Sequence, residues 1–393
     1  MIRPFKLNVS NNTINKIYNK VKKYPWNDVR NMDGWEHGTN SKYLQNISKY
    51  WVKKFDWKKQ EKKINKFSNY ITKVEGINIH FIKEKGSGPN PIPLLLLHGW
   101  PGSFIEFLDI IEKLAHPEKF DGKKEDAFDV IVPSLPGFGF SDSYKKPIGP
   151  RKMAKIMDKL MTKNLGYKKY LSQGGDWGAT ISNWLGYDHY NTCIGIHINC
   201  LTMRHPKGPK NPIEKKWEIK FKKDQILQDG YRTQQSTKPQ SLSYAMIDSP
   251  VGVAGWILEK FFSWSDIRNN KIEKVYSKNI LLTNIMIYLI TNTFNTASWI
   301  YFGRRKEGGR VFPKNFKKIK IPTAVAEFPK EMSEWPPKSY VKRIFNLMHW
   351  TKMPKGGHFA ALEQPNLLVN DIIKFSKKIK KNFNAKKIKH YSN

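Results

Sequence analysis

A doubly wound, mostly parallel α/β sheet, with an N-terminal extension and a helical cap, is the fold this sequence predicts. Three observations carry it. Pro93-Leu94-Leu95-Leu96-Leu97 is a continuous apolar run, as suits a strand buried on both faces. Strand-like and helix-like segments alternate over 91–205, which implies parallel strands joined by crossover helices. Lys168-Lys169-Tyr170-Leu171-Ser172-Gln173-Gly174-Gly175-Asp176-Trp177-Gly178-Ala179 reads as a short strand, a sharp turn and the start of a helix. Glycine on both sides of Asp176 lets the backbone fold tightly and a ligand approach.

The first unit spans 1–90. Ile14, Ile17, Tyr18 and Val21 recur at helical spacing after a cap at Ser10 or Asn11. A second helix is predicted over 40–55, with Tyr43, Ile47, Tyr50 and Trp51 on one stripe. Alternation over 69–74 and 77–82, broken at Glu75-Gly76, predicts a β-hairpin. In 91–205 the strand at 93–97 ends in His98-Gly99-Trp100-Pro101-Gly102-Ser103. A helix over 105–114, a strand over 128–132 and a helix over 152–165 lead to the Asp176 turn, and a strand follows over 194–198. The stretch 206–305 breaks the alternation and reads as mainly helical, with Trp256, Phe261, Phe262 and Trp264 clustered. Such an insertion after a strand end would cover the site. The sheet pattern resumes over 306–380, with strands at 323–326 and 344–350 and a helix at 367–379. The lysine-rich end, 381–393, reads as a frayed, solvated tail.

Composition narrows the class. The chain has 393 residues, 39% hydrophobic, with 13 Trp, 17 Tyr and 22 Phe, enough for a sizeable core. Cys193 and Cys200 are too few to suggest a disulfide scaffold or a four-ligand zinc site. The net charge of +36 comes mostly from lysine spread along the chain. Nucleic-acid binding would call for an arginine-bearing stripe and a known module, and neither is found. Peripheral attraction to an anionic membrane stays open, since each nearby lysine adds about 1 kcal/mol. No segment approaches the ~20 apolar residues that a membrane-spanning helix needs.

The turn fits G-x-nucleophile-x-G with Asp in the place of the usual serine. A carboxylate with a pKa near ~3.9 is already ionised at neutral pH. It can attack an electrophilic sp3 carbon and form an ester that water must then break. That suits an epoxide or an alkyl halide, and suits peptides or esters poorly. A helix N-cap in a glycine-rich turn would use the same residues, so the rest of the chain has to decide. Nucleophile, acid and histidine follow in that chain order in this fold, which makes His358 the candidate base. A pKa near ~6.5 would leave it mostly neutral. Glu327, Glu331 and Glu334 are the candidate acids, and spacing does not separate them. Backbone N–H groups of Trp177 and Trp100 are the candidate oxyanion donors. Whether the Trp100–Pro101 peptide is cis stays open.

The motifs His98-Gly99-Trp100-Pro101-Gly102-Ser103-Phe104, Gly174-Gly175-Asp176-Trp177-Gly178, Asp248-Ser249-Pro250-Val251-Gly252 and Gly356-Gly357-His358-Phe359-Ala360-Ala361 resemble those of the microsomal epoxide hydrolase family, including insect juvenile hormone epoxide hydrolases. So do Arg3-Pro4-Phe5-Lys6 and Phe55-Asp56-Trp57-Lys58-Lys59-Gln60, and the resemblance covers nearly the full length. It implies an α/β-hydrolase fold, no metal or organic cofactor, and small lipophilic epoxides with water as substrates. It implies Glu331, in Phe328-Pro329-Lys330-Glu331, as the acid. It implies Tyr231 and Tyr301 as the two cap phenols that hold the epoxide oxygen. It also implies the cytosolic face of the endoplasmic reticulum (microsomal) membrane. This chain carries no anchor-like segment, so a soluble cytoplasmic protein is the alternative expectation. Two rivals remain: a haloalkane dehalogenase, which also uses an Asp elbow, and a carrier that binds apolar epoxides without turnover.

Overall fold

The computed structural model describes residues 1–30 and 34–390; positions 31–33 and the last three residues of the predicted tail lie outside the described residues. Among the described residues nine strands form one sheet: β1 (Ile2–Pro4), β2 (Asn69–Val74), β3 (Ile77–Glu84), β4 (Ile92–Leu97), β5 (Phe128–Pro133), β6 (Tyr170–Gly174), β7 (Cys193–Ile198), β8 (Ile319–Glu327) and β9 (Phe345–Lys352). Their order is β1-β2-β3-β5-β4-β6-β7-β8-β9. The first three strands run antiparallel and join the sheet through β3 against β5; from β5 to β9 every pairing is parallel. The carboxyl ends of β4, β6, β8 and β9 therefore lie along one edge, where an open α/β sheet binds its ligand. Leu94, Leu95, Leu96 and Leu97 are all buried, the reason β4 reads as an unbroken apolar run.

Local chemistry sets the boundaries. The Ser10 hydroxyl accepts from Thr13 N–H and starts the helix Asn11–Lys22. The Asn40 amide oxygen does the same for Ser41–Lys53. Glu75 and Gly76 both take positive φ, 48° and 90°, and close the hairpin in two residues, fixing the register Val74↔Ile77. Several short elements escape the sequence pattern, two of them in the N-terminal unit. β1 is three residues long, too short to show alternation. The helix Trp57–Ile64 buries Trp57, Gln60, Glu61 and Ile64, a mixed set that hides its periodicity. The expected frayed tail differs as well: the last helix runs from Pro365 to His390, because no glycine or proline interrupts its Lys- and Ile-rich sequence.

After β7 come six helices: Pro212–Gln228, Gly230–Thr237, Pro239–Asp248, Pro250–Ser263, Lys278–Ile290 and Phe294–Lys306. The N-terminal helices brace them. Asn11–Lys22 and Ser41–Lys53 pack on Pro250–Ser263, and Trp57–Ile64 packs on Lys278–Ile290. Trp35 stacks on Phe262 with ring centroids 4.0 Å apart, and the Tyr50 hydroxyl donates to Asn279 Oδ1 at 3.0 Å. Trp51 and Trp57 are fully buried there, each worth roughly 1.5–3 kcal/mol of burial. Among the described residues, no helix is long and apolar enough to cross a membrane.

Candidate active site

Asp176 sits where β6 turns into the helix Asp176–Asp188, with φ of 45°. A left-handed backbone at a non-glycine residue costs about 1–3 kcal/mol and persists only when its surroundings enforce it. Glycines do the enforcing. A Cβ on Gly178 would stand 1.8 Å from Leu97 O, so only glycine lets the helix press against β4. A Cβ on Gly99 would stand 2.2 Å from Asp176 Oδ1, so the His98 loop can reach the carboxylate. There Trp100 N–H donates to Asp176 Oδ1 at 2.8 Å, and Trp177 N–H also bonds the carboxylate. The Trp100–Pro101 peptide is cis.

His358 is carried by the loop after β9, pinned on several sides. His358 N–H donates to Trp264 O at 2.8 Å. Glu363 accepts from Phe359 N–H at 2.9 Å and from Asp266 N–H at 2.8 Å, and Asp266 accepts from Gly356 N–H at 3.0 Å. The imidazole lies between Asp176 and Glu331. Its Nδ1 is 2.6 Å from Glu331 Oε1, and its Nε2 is 3.7 Å from Asp176 Oδ2. A short bridge between Lys330 and Gly357 brings the acid and base loops together. The other two glutamates are engaged elsewhere: Glu327 accepts from Trp350 Nε1 at 2.6 Å, and Glu334 pairs with Lys220 at 3.1 Å.

Tyr231 and Tyr301 come from different cap helices and meet over the elbow. Their rings are 5.8 Å apart at 83°. The Trp100 ring stacks on Tyr231 at 5.3 Å, and the Trp177 ring meets Tyr301 edge-on at 4.6 Å. The Tyr301 hydroxyl is buried with no hydrogen-bond partner. Of the clustered cap aromatics, Trp264 faces the site, its ring 5.1 Å from that of His358. Phe261 stacks on Phe359, Phe262 on Trp35, and Trp256 donates to Gln235.

Electrostatics separate the roles. Burial raises Asp176 above the usual carboxylate range, while His358 and the N–H groups of Trp100 and Trp177 pull it back. Burial alone would lower His358, but Glu331, the Cys200 thiol and Asp176 outweigh it and hold the imidazole well above its ordinary value. Glu331 and Asp176 thus favour the charged imidazole in the resting site, against the expectation of a neutral one. Burial also raises both phenols well above the usual tyrosine range, with the Asp176 charge adding to it, so both keep their protons at neutral pH. Cys200, Glu331 and His358 have ligand atoms within 4.8 Å of one another, a set able to hold a metal ion. Burial pushes the thiol up to about 12, so it meets its neighbours protonated. Sequence reasoning passed over Glu106, Cys200 and two buried arginines, Arg304 and Arg310, within electrostatic reach of Asp176. None of the four carried a motif of its own.

Known proteins match this chain over nearly its full length. Residues 2–107 match the model of the epoxide hydrolase N terminus, and residues 92–247 match that of the alpha/beta hydrolase fold. The chain is 36% identical over 402 residues to epoxide hydrolase 1 of Oryctolagus cuniculus, covering 95% of this chain and 88% of that protein. The chain belongs to the epoxide hydrolase family. The family's reaction is hydrolytic opening of an epoxide to a diol. Juvenile hormone epoxide hydrolase 1 of Ctenocephalides felis is 31% identical over 410 residues, covering 98% of this chain and 88% of that one. The crystal structure of juvenile hormone epoxide hydrolase from Bombyx mori superposes with a TM-score of 0.86 at 28% identity, over 97% of this chain and 95% of that one. The epoxide hydrolase structure from Aspergillus niger gives 0.83 at 27%, over 96% and 97%.

Proposed function

We propose that this epoxide hydrolase works in two steps through an ester on Asp176. Asp176 Oδ1 is held by Trp100 N–H, which leaves Oδ2 as the attacking oxygen. It bonds to a ring carbon as the ring C–O bond breaks. Tyr231 and Tyr301 hydrogen-bond the departing oxygen, and one of them gives it a proton. Water then attacks the ester carbon, and His358 takes its proton. The oxyanion forms at Oδ1, facing Trp100 and Trp177 N–H. Collapse breaks the ester C–O bond, the imidazolium gives its proton to the departing oxygen, and the diol is released; the proton left on the Asp176 carboxyl returns to the tyrosinate, so that Asp176 is again a carboxylate and the phenol is restored.

The two steps are linked by charge. Asp176 is one of the charges that raise the His358 imidazole above its ordinary range. Ester formation removes that charge, so the imidazole becomes easier to deprotonate when a base is required. Glu331 remains to orient it and to stabilise the cation that forms.

The observation that carries this reading is the juxtaposition of an elbow carboxylate, an acid–imidazole pair and a buried phenol with unspent hydrogen-bonding capacity. The aromatic wall of Trp100, Tyr231, Trp264 and Tyr301 supports a lipophilic epoxide, either of the juvenile hormone kind or an arene or alkene oxide. The lysine excess, spread along the chain, is compatible with attraction to an anionic membrane surface. The test is to react the protein with an aryl epoxide, quench within one turnover, and weigh the peptide that carries Asp176. An adduct of the epoxide's mass is expected, and none in Asp176→Ala; diol production by Asp176→Ala at the normal rate refutes the route. One feature favours a dehalogenase as the second reading: Trp100 Nε1 and Trp177 Nε1 are buried without partners and offer N–H groups to a halide. Bromide release from a bromoalkane, faster than diol formation from an epoxide, would select it.

A further inference from the structure

One carboxyl group beside the elbow has no part in these steps. Glu106 lies on the 3-10 turn Phe104–Phe107, just after the Trp100 loop. Its Oε1 is 1.5 Å from where a Cβ on Gly102 would stand, so the side chain folds back along that loop. With Gln173, Asp176, Asn199 and His358 it lines a cavity of about 10 Å³. That is room for about one water, which stays where two to four polar groups converge.

One group at this cavity is short of a partner, and one pair is too far apart to meet directly. Gln173 Nε2 donates to Asn199 Oδ1 at 2.9 Å, while Gln173 Oε1 is buried with no partner. His358 Nε2 is 3.7 Å from Asp176 Oδ2, too far for a direct hydrogen bond. Burial pushes the Glu106 carboxyl up to about 8, with His358 pulling it down and Asp176 pushing it up, so the group is neutral at pH 7. A neutral carboxyl offers a carbonyl oxygen as acceptor without placing a second anion beside the nucleophile.

We propose that Glu106 and Gln173 hold the water that breaks the Asp176 ester, Glu106 acting as a positioning residue. This rests on the ester mechanism above. One water hydrogen points to Nε2 of the neutral His358, and the other is accepted by Gln173 Oε1 or the Glu106 carbonyl. The oxygen lone pair is left facing the ester carbon. The new O–C bond forms as the first hydrogen passes to Nε2. Glu106 neither gains nor loses a proton over the cycle.

The test separates the two steps by single-turnover kinetics with an aryl epoxide, following adduct mass on the Asp176 peptide. Glu106→Leu is expected to form the ester at close to the normal rate but to break it down about 10–100-fold more slowly, so that kcat and KM fall together. Glu106→Gln keeps a neutral acceptor and is expected to restore breakdown. Normal breakdown in Glu106→Leu, or equal slowing of both steps, overturns the proposal. Should Glu106→Leu not fold, pH decides. Wild-type breakdown is expected to slow as pH rises into the alkaline range, where Glu106, held above the usual carboxylate range by burial, becomes an anion beside the developing oxyanion. Glu106→Gln is expected to lack that limb, and a limb shared by both overturns the proposal. If the wild-type protein forms no adduct, the ester route itself falls, and this proposal with it.

Discussion

Replacing Glu331 by glutamine separates the acid's role from that of its two neighbours in sequence. Glu331 Oε1 is 2.6 Å from His358 Nδ1, and both side chains are 2% exposed. Glutamine keeps the shape and an oxygen but loses the charge. A hydrogen bond to a charged partner contributes about 1.5–3 kcal/mol, and little water is present here to replace it. Most of that loss falls where the imidazolium forms, in ester breakdown. At 1.36 kcal/mol per tenfold, it predicts a slowing of about 10–150-fold in that step. Ester formation, which does not use His358 as a base, is expected to change by less than about threefold. Quenched-flow mass spectrometry reads both steps in one experiment, and adduct should accumulate in Glu331→Gln. Glu327→Gln loses only the bond from Trp350, and Glu334→Gln only an exposed pair with Lys220, so both should turn over near normally. Equal slowing of formation and breakdown in Glu331→Gln, or a larger effect at Glu327 or Glu334, would refute the assignment.

Other expectations follow from the same geometry. Asp176→Asn should make no diol, and by removing one of the charges that raise His358 it should move the imidazole titration downward, read by NMR. Tyr231→Phe and Tyr301→Phe should each slow ester formation, and the double variant should lose about 10²-fold or more, with breakdown of preformed ester little changed. Gly178→Ala forces a Cβ to 1.8 Å from Leu97 O and should cost at least about 1–3 kcal/mol in denaturant titration. Asp371, buried between His197 at 3.0 Å and His349 at 2.7 Å, would be raised by burial, but hydrogen bonds from both histidines and Thr351 hold it well below the usual range. A depressed carboxyl contributes stability that is full above its unfolded pKa near ~3.9 and lost as pH falls below it. Asp371→Asn should therefore lower Tm at pH 7, and the difference from wild type should shrink under acid.

Much of this site was legible because its parts are local. The elbow needs glycine at fixed offsets from Asp176, and β4 needs an unbroken apolar run, so both announce themselves in sequence. The acid was not legible from spacing. Glu327, Glu331 and Glu334 are sorted by the turn that bridges Lys330 to Gly357, a contact between segments that no local pattern encodes. The charges that raise His358 were hidden for the same reason, since they lie just after β6 and after β8. Glu106 reads as an ordinary glutamate at a helix start; only the fold shows it turned back over Gly102 into the site. The N-terminal helices gave their caps in sequence but not their role, because the surfaces they cover, on Pro250–Ser263 and Lys278–Ile290, lie some two hundred residues away.

The central claim is that the oxygen delivered to the diol comes from the protein's own carboxylate. One turnover of excess enzyme in ¹⁸O-labelled water tests it directly. Unlabelled diol and a single labelled oxygen in the peptide carrying Asp176 are expected. Label in the first-turnover diol, with Asp176 unlabelled, would mean that water attacks the epoxide itself, and the ester route would be wrong.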